Sequence, residues 1–280
     1  MAAKYRVGGF DVHTVLILGN KMNFRDALIS TYCENPCQVL PNALWKTLAQ
    51  LENLQTSVSI EKNVVIHMKA WNEKNLLVYW TRYREQPPDF SQQQTDLNLA
   101  LIHQDYLHAF PSTGFTIHKP YFRLIHRQKD PEVKAPIPIG FSIIEVNIWQ
   151  EAKEVSHLIG QCYQDLHPTV KSIMSWVKHP AFDPSLWVWV IDNAKGIPVG
   201  LGIAEIDNNV QEGSLEWIQV LPKYRAIGIG KSIVQELLYR LGNQVKFTTV
   251  SGEMDSTTNP EALYRSCGFK GSDIWWMFST

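Results

Sequence analysis

The sequence predicts a mixed α/β protein in which one order of elements occurs twice. Short apolar runs rich in β-branched residues alternate with stretches of helical periodicity along the whole chain. A stretch that is first charged and then proline-rich, "RQKDPEVKAPIPIG" from Arg127 to Gly140, reads as a linker. The elements before it follow much the same order as those after it. Two units are expected, an α/β domain over residues 1–130 and a second over 139–280.

In the first unit "VHTVLILG" predicts a strand, and "NFRDALISTYC" and "PNALWKTLAQL" predict two helices. Three strands follow in "TSVSIE", "NVVIHMKAW" and "NLLVYWT". A long helix is expected over "TDLNLALIHQDYLHAF" and a strand over "YFRLIHR". In the second unit "FSIIEVNI" is a strand, and "WQEAKEVSHLIGQCY" has apolar positions three and four apart, as a helix requires. "TVKSIMSWVKH" is a second helix. "LWVWVID", "IPVGLGIAEID" and "SLEWIQV" are strands, with Asn208-Asn209 in the last turn between them. "GIGKSIVQELLYRL" is a helix ended by Gly242, and "VKFTTVS" is a strand. "NPEALYRSC" is a short helix with Pro260 in its first turn and Gly268 past its end, before the strand "DIWWMF". Val12 corresponds to Ile143 and Leu97 to Ile233, so the halves read as a duplicated fold with little shared sequence.

Composition narrows the function classes. A net charge of −1, with a slight cationic excess in the first half and a slight anionic one in the second, is too balanced for a generic polyanion binder. No nucleic-acid partner is expected. "VHTVLILG" is too short to cross a bilayer, and "MAAKYRVGGFD" lacks the apolar stretch and cleavage site of a signal peptide. Cys33, Cys37, Cys162 and Cys267 form no paired framework, and no second Cys/His pair accompanies Cys33 and Cys37. No metal site is expected, and the thiols read as reduced in a cytoplasmic protein.

The chemically loaded stretch is "PKYRAIGIGKS", Pro222 to Ser232, lying between an apolar strand and a helix. Backbone N–H groups at such a point face phosphates. A P-loop needs glycine where Arg225 stands, and too little chain follows Ser232 for its parallel sheet. A Rossmann fingerprint needs a third glycine where Ile233 stands, and no acidic residue ends the next strand. What remains is Arg225-x-x-Gly228-x-Gly230, a glycine turn whose successive N–H groups suit one diphosphate.

With its surroundings, "LEWIQVLPKYRAIGIG" followed by "TNPEALYRSCGF", this motif resembles the GNAT superfamily of acetyl-CoA-dependent N-acetyltransferases. The resemblance covers about residues 139–280 and is strongest over 214–269. It implies a GNAT fold in the second half and a degenerate copy of that fold in the first. It also implies acetyl-CoA as cosubstrate, with its pyrophosphate on the loop headed by Arg225. The N–H groups are those of Ala226, Ile227, Gly228, Ile229, Gly230 and Lys231, with Ser232 nearby. The pantetheine arm would pair with strand backbone at Ile218 and Val220, like an added strand. Two positions depart from the family pattern. Ala226 replaces a glycine, and Thr257 replaces an asparagine for which Asn259 is the nearest substitute.

Acetyl transfer from a thioester to an amine needs a neutral amine, a stabilised oxyanion and a proton for the departing thiolate. Tyr264 stands where the family's catalytic tyrosine lies, and a phenol can protonate a thiolate. Glu216 is the candidate base, expected on the strand face of Ile218 and Val220 and opposite Leu215, Trp217 and Gln219; Glu205 and Glu253 are alternatives. Trp217, Trp275 and Trp276 hint at an aromatic acceptor cleft. The first-half loop "TRYREQPPDF" has no glycine, and Pro87-Pro88 cannot donate N–H groups, so that copy is not expected to hold CoA. The acceptor, a small molecule or peptide with a primary amine, is not identified by the sequence. A competing reading makes the chain an acetyl-CoA-binding regulator without turnover, with "PNALWKTLAQL" as part of a winged helix or partner-binding module.

Overall fold

The computed structural model describes residues 22–85, 90, 97–127, 136–163 and 166–280. The strand expected over 12–19 lies outside the described residues, as do Pro87-Pro88 and most of the linker. The first half contains α1 (Phe24–Glu34), α2 (Pro36–Val39), α3 (Leu44–Leu48), β1 (Gln55–Glu61), β2 (Val64–Trp71), β3 (Asn75–Thr81), β4 (Leu99–His103) and β5 (Ile117–Arg127). The second contains β6 (Phe141–Glu145), α4 (Ile148–Cys162), α5 (Val170–Trp176), β7 (Trp187–Asp192), β8 (Ile197–Asp207) and β9 (Glu212–Val220). It ends with α6 (Ile229–Leu241), β10 (Phe247–Glu253), α7 (Pro260–Ser266) and β11 (Lys270–Ser279). Every element expected in the second half is present.

The strands of the described residues form one sheet of 11, in the order β1-β2-β3-β4-β11-β5-β10-β9-β8-β7-β6. Two neighbouring pairs are parallel, β3 with β4 and β9 with β10; the others are antiparallel. The halves exchange strands at the centre: β5 of the first half pairs with β10, and β11 of the second pairs with β4. The expected boundary at 130–139 therefore falls between two elements, but the sheet has no seam there.

Two faces follow from strand alternation. On one, α6 covers Val188, Ala204, Leu215 and Val250, with Tyr264 of α7 in the same core. On the other, α4 and α5 cover Trp187, Trp189, Leu201 and Ile203, and α1 covers Met68, Val78 and Phe247. A buried polar knot lies beneath α1. Tyr32 donates to Glu212 at 2.6 Å and accepts from Arg123 at 2.9 Å, while Thr249 donates to the same Glu212 oxygen at 2.6 Å.

Two first-half expectations are corrected. "TDLNLALIHQDYLHAF" forms no long helix among its described residues: Leu99–His103 is β4, and Gln104–Tyr106 is a single 3₁₀ turn. Its apolar residues suit either element, and the slot between β3 and β11 selects the strand. "PNALWKTLAQL" shortens to the five residues of α3, with Leu44 and Thr47 buried and Trp45 and Lys46 bonded to the second half. It is not presented as a recognition helix.

Candidate active site

β9 and β10 share four register positions, from Glu212 opposite Phe247 to Leu215 opposite Val250. Beyond these the two strands part, while β9 continues to Val220 along β8. The opening leads into a cavity of about 260 Å³ lined by Ile218, Val220, Arg225, Ala226, Gly228, Gly230, Lys231 and Tyr264. Most of the site residues expected from the sequence thus meet in one place. Gln219, Thr258, Pro260 and Leu263 complete the lining; the sequence marked none of them, although Thr258 directly follows the position where the family asparagine was expected.

The loop before α6 shows why its residue types are needed. Gly228 is the α6 N-cap at φ 98°, a left-handed conformation that L side chains rarely adopt. Gly230 is constrained instead by space, because a Cβ there would lie 3.3 Å from Leu263 Cδ2. Ala226 also has positive φ, at 64°, a conformation that a glycine would adopt without strain. No side chain caps the α6 N-terminus, so its first N–H groups remain available to a ligand.

Arg225 is occupied internally. Its Nε donates to Val220 O at 3.0 Å and its Nη2 to Cys162 O at 3.4 Å, tying the loop to β9 and the end of α4. Ser232 is occupied too, its hydroxyl donating to Pro136 O and Gly228 O. Ile227 is half exposed and Ile229 is buried in the α6 core, so both offer backbone rather than side chain. Asn259 caps α7 by accepting from Ala262 N at 3.3 Å. Thr258 and Pro260, rather than Asn259, line the cavity.

Tyr264 is 7% exposed, with ring contacts to Phe122 at 6.1 Å and Phe269 at 5.7 Å. Burial pushes its phenol well above the usual range, and nearby Tyr163, Cys267 and Glu216 add to the effect. The phenol therefore keeps its proton at neutral pH.

The expected face of Glu216 is corrected. The register of β8 on β9 slips between Ile203, opposite Trp217, and Ala204, opposite Leu215, leaving Glu216 as the extra residue of a bulge. Leu215, Ile218 and Val220 consequently share the α6 core. Glu216 instead accepts a hydrogen bond from Lys46 of α3. Burial raises the Glu216 carboxyl, but the Lys46 ammonium and a bond with Ser214 reverse this and hold it below its ordinary value. Glu205 moves the other way, raised by burial and by the charge of Glu216 against the opposing pull of His179 and Lys46. Glu253 pairs with Lys119 at 3.1 Å.

None of the three expected tryptophans lines this cavity. Trp217 stacks on Trp176 at 5.2 Å with Tyr163 edge-on at 6.2 Å. Trp275 is buried and donates to Cys37 O at 2.7 Å, while Trp276 packs into the first-half core around Phe278. Among the described residues no three His, Cys, Asp or Glu side chains gather as a metal site. Cys37 is buried, and this pushes its thiol up to about 12. No helix among the described residues is long and apolar enough to cross a membrane.

The first half has a corresponding opening, and it is filled. β3 and β4 share two register positions, Asn75 with Leu99 and Leu76 with Ala100. Beyond them the Tyr106 hydroxyl accepts from Thr81 N at 3.1 Å and donates to Thr81 O at 3.0 Å, as a neighbouring strand would. Phe90 stacks on Tyr79 at 4.1 Å beside it.

Residues 184–271 match the family described as acetyltransferase (GNAT) domain. A GCN5-related N-acetyltransferase from Sphaerobacter thermophilus has a similar structure, with TM-score 0.65, 14% identity and 91% of each chain covered. A GNAT-family acetyltransferase from Colwellia psychrerythraea matches with TM-score 0.57 and 12% identity, covering 90% of this chain and 96% of that one. A tandem GNAT protein from the clavulanic acid biosynthesis pathway matches with TM-score 0.53 and 12% identity, covering 91% and 95%. At these identities the likeness concerns the fold. No curated protein sequence matches the chain.

Proposed function

Because residues 184–271 carry a GNAT acetyltransferase domain, we propose that this protein transfers an acetyl group from acetyl-CoA directly to a primary amine. The observation that carries the reading is the convergence of parting strands, glycine turn and tyrosine on one cavity. In this reading the N–H groups from Ala226 to Lys231 receive the pyrophosphate, helped by the α6 dipole. The free edge of β9 at Ile218 and Val220 pairs with the pantetheine arm. In the same reading the thioester lies near Glu216, where β9 and β10 separate.

Holding the amine beside the thioester supplies much of the rate, since orientation alone is worth roughly 7–11 kcal/mol in favourable cases. Backbone N–H groups of the parted strand stabilise the oxyanion. Tyr264 then gives its proton to the thiolate. The first half acts as a wall of the site rather than a second cofactor site, since Tyr106 already occupies its opening.

Titration calorimetry with acetyl-CoA should give one site per chain, and an amine panel assayed for free CoA should show turnover. Gly228→Asp should abolish binding, because it forces a side chain onto a left-handed backbone and puts negative charge at the pyrophosphate. Unchanged affinity in a natively folded variant would move the phosphate site elsewhere. Two equivalent sites would overturn the single-site reading. Binding without release of CoA to any amine would favour a regulator over an enzyme.

A further inference from the structure

Helix α3 reaches across the chain to the place where β9 leaves β10. Lys46 donates to Glu216 there, and Trp45 Nε1 donates to Glu205 Oε2 at 2.8 Å. The two carboxyls meet through Ser214, whose hydroxyl lies 3.5 Å from Glu205 and also bonds Glu216. On the far side His179 Nε2 lies 3.0 Å from Glu205 Oε1, under the stacked Trp45 ring at 4.1 Å. Resting on the acetyltransferase reading, we propose that the first half completes the acceptor side of the site. Lys46 positions Glu216, Trp45 positions Glu205, and the paired carboxyls take the proton that the acceptor ammonium must lose.

The arrangement fits this task for three reasons. The bulge sets Glu216 one residue beyond Leu215, the last β9 residue in register with β10, so it stands at the mouth of the opening. The Lys46 and Glu216 side chains keep 28% and 18% of their surface, so the pair is reachable from solvent. Two carboxylates this close cannot both accept a proton independently. The groups that bear on Glu216 are Lys46 from α3, Arg123 from β5, Glu205 from β8 and Ser214 from its own strand, with Tyr264 of α7 responding to its charge. Lys46 fixes negative charge on Glu216, and Glu205, raised by burial and by that charge, is the member able to hold a proton.

The step balances. R–NH₃⁺ passes one proton to the pair, leaving a neutral amine and a carboxylic acid. The nitrogen attacks the thioester carbon, the N–C bond forms, and the C–S bond breaks with its electron pair on sulfur. The second nitrogen proton replaces the one that Tyr264 gives to the thiolate. The proton on the pair leaves to water on the solvent-reachable side, at Glu216 beside Lys46, so each turnover releases one proton.

The test uses full-length protein carrying glutamate labelled with carbon-13 at the carboxyl, with signals assigned by Glu205→Gln and Glu216→Gln. Lys46→Met should raise the titration midpoint of Glu216, and Lys46→Arg should restore it. Glu216→Gln should lower the midpoint of Glu205, a measurement that stands even if the methionine variant does not fold. Kinetically, Lys46→Met should cut transfer to an alkylamine by about 10²-fold. It should leave transfer to hydroxylamine, already neutral at pH 7, within about twofold, because no ammonium proton need be removed. Equal losses with both amines, or an unmoved Glu216 midpoint with transfer intact, would overturn this inference alone. Absence of transfer by the unaltered protein to every amine tried would overturn the acetyltransferase reading on which it rests.

Discussion

Tyr264→Phe is expected to cut turnover by about 10² to 10⁴ while leaving acetyl-CoA affinity within about twofold. The substitution removes one hydroxyl and keeps the ring that packs between Phe122 and Phe269, so the fold should be unaffected. Cofactor affinity is expected to come mainly from the glycine turn and the β9 edge, which the change does not touch. Because burial holds the phenol protonated, its loss removes an acid and not a base. The defect should therefore shrink with an acyl donor whose thiol is more acidic, since a better leaving group needs less help. Near-normal turnover on acetyl-CoA would make the tyrosine structural and leave protonation to water. Loss of affinity with normal turnover would make it a cofactor contact.

Arg123→Met should produce the largest loss of stability. Arg123 and Glu212 are 2% and 1% exposed, and the arginine bonds both Tyr32 and Ser251. Removing the guanidinium leaves the Glu212 carboxylate buried without its cation, a change that costs about 3–5 kcal/mol in comparable sites. For a chain of this length that corresponds to a fall in Tm of about 10 °C. The double variant Arg123→Met with Glu212→Leu should recover a good part of the loss, because the penalty lies in the stranded charge more than in the missing attraction. A single-variant loss below about 1 kcal/mol would show that the network contributes little.

The second half was readable because each of its elements is dictated locally. The apolar spacing of Ile148–Cys162, the glycines around Ile229–Leu241 and the proline at the head of α7 act within a few residues. The misreadings concern pairings that spacing along one element does not reveal. Leu99–His103 became a strand because β11, formed by residues 270–279, lies beside it. Glu216 left its expected face because one extra residue sits opposite β8, and alternation along β9 alone carries no sign of that bulge. Its partner Lys46 is 170 positions away, and no spacing rule connects them. Tyr106 is part of an unremarkable apolar run until its hydroxyl is seen bridging both backbone groups of Thr81. The glycine turn was legible as a phosphate cradle, but the inward engagement of Arg225 was not, because it depends on the carbonyl ending α4.

The central exchange of β5 and β11 bears on the order in which the molecule can be made. β4 is synthesised at residues 99–103, but its neighbour β11 comes from residues 270–279. At translation rates of roughly 5–20 residues per second, that interval is roughly 10–35 s. Throughout it the nascent first half carries an exposed strand edge, the kind of surface that recruits wrong partners. The usual sequence, in which an amino-terminal unit is finished before the next emerges, is closed to this chain. Ribosome-bound chains stalled at Phe269 should accordingly remain open to protease around β4, however much of the second half they already hold.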